Sequence, residues 1–366
     1  MRILFCGGGT AGHVIPAIAM AEILLRSNIA HDVAFVGRVG GNENRAIVKK
    51  GYKLYTIDIA GFSRSLSLKN INAFFKVIKS GRNAKEIISD FSPDLVIGTG
   101  GYVCYPIIKA AQRMGIKNMM HESNIYPGLV TRMLGKKCDS LLLNSEGSRR
   151  YLKRTENTVV IGNPLRVNFS EITKDEARKR LGIGKSTFFI LSFGGSLGAD
   201  VLNKNIIHLI QQYSALKNDV NHIHSTGISR YPEVKSLAPN LCAGVNGCKI
   251  VPYIDAMPLY LNAADLVICR SGAMTLSELA SVGKAAILIP SPNVAENHQY
   301  ENAKYVSDQG GAIMIEEKDL DFKRLKGLVE DIKEHPNKRA SLEEQIRKLS
   351  RSDTEKLLIN TINNMF

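Results

Sequence analysis

Residues 3–12 read ILFCGGGTAG and residues 190–199 read ILSFGGSLGA, and the fold is decided by these two stretches. Each is an apolar run, then a glycine turn carrying a hydroxyl residue, then an amphipathic helical pattern. Glycines at a strand-to-helix turn let the backbone approach a phosphate, and the helix N-terminus adds N–H donors. Two such starts, half a chain apart, predict two Rossmann-like domains.

Outward from these stretches, short apolar runs alternate with helical patterns to the end of the chain, which predicts an α/β protein with parallel sheets. In the first half the expected strands are 2–6, 33–37, 53–57, 95–98, 118–121, 140–143 and 159–161. In the second half they are 188–193, 222–225, 249–251, 266–269, 286–289 and 312–315. Gly162-Asn163-Pro164 punctuates the chain after a strand and is read as the hinge. The expected domains are residues 1–163 and 164–349, with a last helix at about 350–366 returning to the first.

The 366 residues suffice for two cores, and 44% hydrophobic with 22% charged residues is ordinary for a folded globular chain. No stretch approaches the roughly 20 apolar residues that span a bilayer. The opening RILFC leads straight into glycines without a cleavage pattern, so a cytoplasmic protein is expected. Six scattered cysteines form no CxxC pair and are expected to be buried free thiols. The formal charge of +14 is uneven: residues 1–165 carry +12 and residues 166–366 carry +2. The halves should therefore meet different partners. Nucleic acid is not expected, because no aromatic-basic strand pattern or recognition helix accompanies the charge.

Gly7, Gly9 and Gly12 satisfy GxGxxG. A dinucleotide site also wants an acidic residue after the second strand, whereas Asp32 precedes its strand. The second loop, 194–198, lacks the Lys-Ser/Thr pair of a Walker loop, yet it can cradle a diphosphate through backbone N–H groups and the Ser196 hydroxyl. Residues 269–278, CRSGAMTLSE, follow an apolar strand and open a helix toward donor phosphates or sugar. Glu278 lies one to two turns along, where a carboxylate can accept both hydroxyls of a ribose. A proline-broken loop at 290–297 then leads to Glu296, Asn297, His298 and Gln299, which suit sugar hydroxyls, with Asn297 equally suited to capping the helix.

The ordered set GGGTAGH (7–13), GGY (100–102), HESN with PG (121–124, 127–128), GNPLR (162–166), GGSLGA (194–199), YID (253–255), RSGAMTLSE (270–278) and HQYENA (298–303) resembles the bacterial MurG family. These enzymes move N-acetylglucosamine from its UDP donor to an undecaprenyl-pyrophosphoryl-MurNAc-peptide acceptor, the last cytoplasmic step in building the peptidoglycan precursor. The resemblance implies a GT-B fold, two domains facing across a cleft, and an inverting transfer that makes a β-1,4 linkage. It departs from the usual pattern at Ala11 (Gly is usual), Ser123 (Gln) and Leu197 (Gln). By motif, the donor ligands are Thr10, Ala11, Gly12, Asn124, Arg166, Ser196, Ile254, Ala273, Met274, Thr275, Leu276, Ser277, Glu278 and Gln299. Ile254 would offer its backbone to the uracil edge, and Gly101, Tyr102 and His121 would line the acceptor side.

An inverting displacement needs stabilisation of the departing UDP and a base for the attacking hydroxyl. Arg166, Ser196 and helix N-terminal amides meet the first need, so no metal and no cofactor are expected. The DxD string Asp319-Leu320-Asp321 is read as helix capping. His13 and Glu122 are both candidates for the base, with His13 preferred. Ile71, Phe74, Phe75 and Ile78 fall at helical spacing, flanked by Lys69, Lys76, Lys79, Arg82 and Lys85 and preceded by Leu66 and Leu68. An apolar stripe at that spacing is more often core than membrane contact, but the flanking charge is almost all positive, which fits a peripheral surface on the anionic cytoplasmic face of the cell membrane. Protein partners are not legible. A glycolipid transferase with another acceptor, or a UDP-sugar epimerase, is the alternative.

Overall fold

The structure, a computed structural model, describes residues 1–41, 44–59, 69–165, 169–195, 198–215 and 219–366; the side chains of Ala11, Ser170 and residues 69–79 are not described. The chain forms two compact units, Met1–Val167 with Arg351–Phe366, and Asn168–Ser350. Each is a parallel sheet covered by helices.

Among the described residues the first unit has seven strands: β1 (Arg2–Cys6), β2 (Asp32–Arg38), β3 (Lys53–Ile57), β4 (Leu95–Gly98), β5 (Lys117–Glu122), β6 (Ser140–Leu143) and β7 (Thr158–Val160). Their order is β3-β2-β1-β4-β5-β6-β7, with parallel pairing throughout. A strand buried on both faces must be apolar throughout, and β1 is. Ile3 and Phe5 pack with Val14 and Ile18 of the Ala11–Arg26 helix. Leu4 and Cys6 face the opposite way, toward Ile88 of the Lys69–Phe91 helix and Ile107 of the Cys104–Met114 helix. Each fully buried aliphatic side chain stabilises the unit by roughly 1.5–3 kcal/mol.

The Thr354–Asn363 helix completes this core. Leu358 and Ile362 are fully buried beside Ile3 and Phe5, and Thr354 Oγ1 donates to the Ile161 carbonyl at 2.6 Å. Arg26 and Glu355 pair at 2.7 Å. Gly162 and Asn163 are clamped inside the same unit: the Gly162 carbonyl lies 3.1 Å from His121 Nε2, and Asn163 Nδ2 donates to the Ser123 carbonyl at 3.3 Å.

The second unit has β8 (Phe188–Phe193), β9 (Val220–Ser225), β10 (Cys248–Val251), β11 (Leu266–Cys269), β12 (Ala286–Leu288) and β13 (Ile313–Met314). Their order is β10-β9-β8-β11-β12-β13, again parallel. One side of this sheet packs Phe188 and Ile190 against Leu202, Ile206 and Leu209 of the Asp200–Ala215 helix and Leu325, Val329 and Ile332 of the Phe322–Glu334 helix. All thirteen strands lie where the apolar runs place them, with ends displaced by at most two residues. The strand order reverses between β1 and β4, and again between β8 and β11. In open α/β sheets ligands bind outside the carboxyl ends of the strands at that reversal.

All six cysteines are free and buried. Among the described residues no helix is long and apolar enough to cross a membrane. The backbone of the Lys69–Phe91 helix is described, and its second half packs on the sheet through Ala84, Ile88 and Phe91 while Arg82 and Lys85 are exposed. Leu66, Leu68 and the side chains of Lys69, Ile71, Phe74, Phe75, Lys76, Ile78 and Lys79 lie outside the described residues.

Candidate active site

In the first unit, β1 ends at Cys6 and the chain turns through residues 7–10 into the Ala11–Arg26 helix. Beside it, β4 ends at Gly98 and turns through Thr99, Gly100 and Gly101. The two turns interlock. A side chain at Gly7 would meet Thr99 Oγ1 at 2.2 Å, and one at Gly101 would meet the Gly8 carbonyl oxygen at 2.0 Å. Gly100 and Gly101 hold φ at +109° and +81°, a region that strongly favours glycine.

His13 sits in this joint. Its Nδ1 lies 3.0 Å from the Gly8 carbonyl oxygen and 3.3 Å from Thr10 Oγ1. A Cβ on Gly100 would reach its Cδ2 at 2.6 Å. With Nδ1–H donating to Gly8, Nε2 carries the lone pair, the tautomer a general base requires. Thr10 and Gly12 are exposed, Ala11 opens the helix, and Tyr102 beside Gly101 is 45% exposed.

The other candidate base has different surroundings. Glu122, at the end of β5, is buried. Its Oε1 accepts from the Asn124 backbone N–H at 3.0 Å and Nδ2 at 3.2 Å; its Oε2 accepts from the Gly128 N–H at 2.9 Å and Thr131 Oγ1 at 2.8 Å. Four donors on two oxygens make it the staple of the 122–131 loop and hold Asn124 in place. His121 is fully buried, with Nε2 3.1 Å from the Gly162 carbonyl oxygen. Burial pulls its pKa below the usual range. Expected on the acceptor side, it lies instead inside the fold, because its strand is covered on both faces. Asp32 is the first residue of β2 and pairs with Arg2 at 3.3 Å, at the end of the sheet opposite the glycine turns. Among the described residues no carboxylate therefore directly follows β2, where a dinucleotide site needs one.

In the second unit, Gly194 and Gly195 follow β8, and Gly198 precedes the Asp200–Ala215 helix. Gly198 holds φ at +76°, and a Cβ there would meet the Thr226 carbonyl oxygen at 2.2 Å. Next to it, β11 ends at Cys269, and Gly272 caps the Ala273–Val282 helix in an extended conformation. The first bond of that helix runs from Leu276 N to Gly272 O at 3.0 Å. The first turn of that helix thus stands at the positive end of the helix dipole, beside the end of β11. Ser277 and Glu278 are half-buried on this helix, with Ser277 Oγ on the Ala273 carbonyl at 3.2 Å. Burial first, and then the Glu278 carboxylate, push the Cys269 thiol pKa up.

Gln299 and its helix, His298–Asp308, are tied to this turn. Ser271 Oγ donates to the Gln299 carbonyl at 2.8 Å, and Asn302 Nδ2 donates to the Ser271 carbonyl at 3.3 Å. The Gln299 side chain is itself pinned, its Oε1 accepting from Ser291 N–H at 2.9 Å. Glu296 and Asn297 hold φ at +52° and +54°, and Asn297 occupies the helix N-cap without a side-chain capping bond. Capping does not account for Asn297, and two consecutive non-glycine residues in that region mark strain of the kind stored at ligand sites. Ile254 is buried in the segment after β10. Arg166, Ser196 and Leu197 lie outside the described residues.

Sequence reading gave Arg270 no role of its own. Its Nη1 donates to the Ile289 and Pro290 carbonyls at 3.1 and 3.2 Å, and its Nη2 pairs with the nearly buried Glu317. It locks the end of β11 to the proline loop. A cation directly after an apolar strand and before Ser-Gly was the available signal. Asp321 accepts from Arg324 N–H at 2.8 Å and caps the Phe322–Glu334 helix, as its reading as a cap requires. Among the described residues no group of three or more His, Cys, Asp or Glu is placed to hold a metal ion.

The chain matches the glycosyltransferase family 28 N-terminal domain over residues 3–143 and its C-terminal domain over residues 189–358. It is 39% identical over 355 residues, 96% of each chain, to the UDP-N-acetylglucosamine–N-acetylmuramyl-(pentapeptide) pyrophosphoryl-undecaprenol N-acetylglucosamine transferase of Caldanaerobacter subterraneus subsp. tengcongensis. Among solved structures it is similar to Acinetobacter baumannii MurG, with a TM-score of 0.78 and 26% identity, covering 100% of this chain and 99% of that one. A UDP-GlcNAc 2-epimerase from Neisseria meningitidis, with a TM-score of 0.68 and 14% identity over 100% of both chains, shares the fold alone. The interlocked turns of the first unit and the strand-end helix of the second thus stand in a member of glycosyltransferase family 28, and the chain belongs to the MurG family within it.

Proposed function

We infer that this chain is the N-acetylglucosaminyltransferase that moves GlcNAc from UDP-GlcNAc to the undecaprenyl-pyrophosphoryl-MurNAc-peptide acceptor in peptidoglycan synthesis. The second unit holds the donor. The diphosphate lies against the turn at 194–198 and the first amides of the Ala273–Val282 helix, with Ser196 and Arg166 as side-chain ligands. Glu278 accepts the ribose hydroxyls, the Ile254 backbone reads uracil, and the Gln299 amide nitrogen, opposite the oxygen fixed by Ser291, donates to the sugar. The first unit receives the acceptor beside Gly101 and Tyr102, and rests on the anionic cytoplasmic face of the membrane.

The MurNAc 4-hydroxyl attacks C1 of GlcNAc, the C1–O bond to the diphosphate breaks, and UDP departs with the electron pair. The hydroxyl proton passes to His13 Nε2. A single displacement inverts the α-linked donor into a β-1,4 product, and fixed N–H dipoles take up the charge on the leaving group. The observation that carries the choice of base is the contrast between the two candidates. Among the described residues His13 is anchored through Nδ1 alone, while both Glu122 oxygens are filled by donors of its own loop. Glu122 therefore positions Asn124.

His13→Ala is expected to lower kcat by about 10²–10⁴-fold at saturating acceptor while UDP binding by calorimetry is unchanged. Glu122→Gln, which turns one acceptor into a donor against four donors, is expected to lower thermal stability as well as activity. Near-full kcat in His13→Ala would remove His13 from the mechanism.

A further inference from the structure

The interior of the second unit holds a string of polar side chains that no step of the transfer uses. Ser192 of β8, His222 and His224 of β9, and Asn203 of the Asp200–Ala215 helix are each at most 4% exposed. Ser192 Oγ lies 2.7 Å from His222 Nε2 and 2.9 Å from His224 Nδ1. His224 Nε2 lies 3.1 Å from Asn203 Oδ1, and Asn203 Nδ2 donates to the Thr226 carbonyl at 3.1 Å.

Chemistry fixes the direction of this string. The Thr226 carbonyl only accepts, so the Asn203 amide nitrogen faces it and Oδ1 faces His224. His224 Nε2 then carries the hydrogen, so in the neutral ring Nδ1 takes the Ser192 hydroxyl hydrogen and makes no bond to the Ser192 carbonyl oxygen that also stands 3.2 Å from it. Ser192 in turn accepts from His222 Nε2–H. The bonds from His222 through Ser192, His224 and Asn203 then run one way to Thr226, and such strings strengthen cooperatively in a dry interior. Both imidazoles must be neutral, and burial sees to that: it lowers the His222 pKa and brings His224 down to about 4.

The end of the string lies at the donor turn. The Thr226 carbonyl oxygen is the atom against which Gly198 is packed, so closely that a Cβ would overlap it at 2.2 Å. Gly198 N–H closes the turn onto Gly195 O at 3.0 Å, and Asn203 N–H bonds Ala199 O at 2.8 Å. Arg230, whose Cγ also abuts Gly198, pairs with Asp200 at 2.9 Å. Apolar residues would fill the same interior without the desolvation penalty of two imidazoles.

We propose that His224, backed by Ser192 and His222, is a positioning residue of the donor site: through Asn203 it fixes the Thr226 carbonyl, and so the seat of the Gly198 turn against which the UDP diphosphate binds. The inference rests on the reading of that turn as the diphosphate cradle.

The test measures kcat, both KM values, UDP binding by calorimetry and Tm for the full chain and for His224→Leu, His224→Gln and Ser192→Ala. His224→Leu is expected to raise the donor KM about tenfold and weaken UDP binding in parallel, with kcat at saturating donor within about twofold and the acceptor KM unchanged. His224→Gln, whose amide nitrogen can still reach Asn203 Oδ1, is expected to recover most of the loss. Ser192→Ala is expected to give a rise of about threefold, and it carries the test if His224→Leu does not fold. An unchanged donor KM with a lowered Tm, or equal losses in Gln and Leu, would make the string structural only and overturn the proposal. If the wild-type chain gives no heat with UDP, the cradle reading falls and the inference with it. If wild type binds UDP and His224→Leu binds equally well, only the inference falls.

Discussion

At Gly101 the backbone sits at φ +81°, with the Gly8 carbonyl oxygen where a Cβ would stand, 2.0 Å away. Two penalties coincide in any substitution, the left-handed backbone and a collision with backbone that cannot rotate aside. The first alone costs of order 1–3 kcal/mol for an L-residue. The second pushes on Gly8, the residue whose carbonyl holds His13 Nδ1 at 3.0 Å. Gly101→Ala is therefore expected to lower kcat by more than about tenfold through displacement of the imidazole. UDP affinity is expected to stay at the wild-type value, because the backbone ligands proposed above for the diphosphate lie on the turn at 194–198 and the Ala273–Val282 helix, not on the Gly101 turn. Calorimetry with UDP, run beside steady-state kinetics, checks both halves. Parallel loss of kcat and UDP binding would mean that the two glycine turns do not serve separate tasks.

Among the elements, the strand-turn-helix starts were the most legible part of the chain. Apolar runs such as ILFC and ILSF admit one reading when glycines follow, and the sheet order then puts both turns where the strand order reverses. Side-chain satisfaction was not legible. In HESN, alternation along β5 puts His121 and Glu122 on opposite faces, yet nothing in the letters says that Gly162 occupies one and that Gly128 and Thr131 fill the other. Those partners are 41, 6 and 9 residues away and meet only in the folded unit. Ser192, His222 and His224 offered a signal that went unused, polar residues sharing the inward face of apolar strands. Capping, a local interaction, was readable: Asp321, the second acid of the DxD string, caps Phe322–Glu334. Asp321→Ala is expected to cost about 1 kcal/mol and to lower Tm by roughly 2–4 °C, with activity indifferent to EDTA before and after. A loss of transfer that added magnesium restores would instead assign the string to a metal.

Across the whole molecule, charge is the property that separates the two halves, +12 in residues 1–165 against +2 in residues 166–366. Under the proposed function the acceptor stays in its bilayer, so the enzyme would have to come to the surface, and among the described residues no helix is long and apolar enough to cross it. Attachment by excess positive charge answers both conditions: it brings a globular chain to an anionic surface and leaves it free to depart. Arg82 and Lys85, exposed on the Lys69–Phe91 helix, belong to this charge, and the lysines earlier in the same helix add to it. Each basic residue near an anionic surface contributes about 1 kcal/mol, and the attraction decays over about 10 Å at 0.1 M salt but only about 3 Å at 1 M. Binding to vesicles containing phosphatidylserine is therefore expected to fall at least about tenfold between these salt concentrations. Arg82→Glu with Lys85→Glu is expected to weaken it further, while turnover of a detergent-solubilised acceptor is preserved. Sedimentation with vesicles of graded anionic content measures this directly. Equal binding to neutral and anionic vesicles at both salt concentrations would show that apolar insertion alone holds the chain to the membrane, and that its positive charge has another purpose.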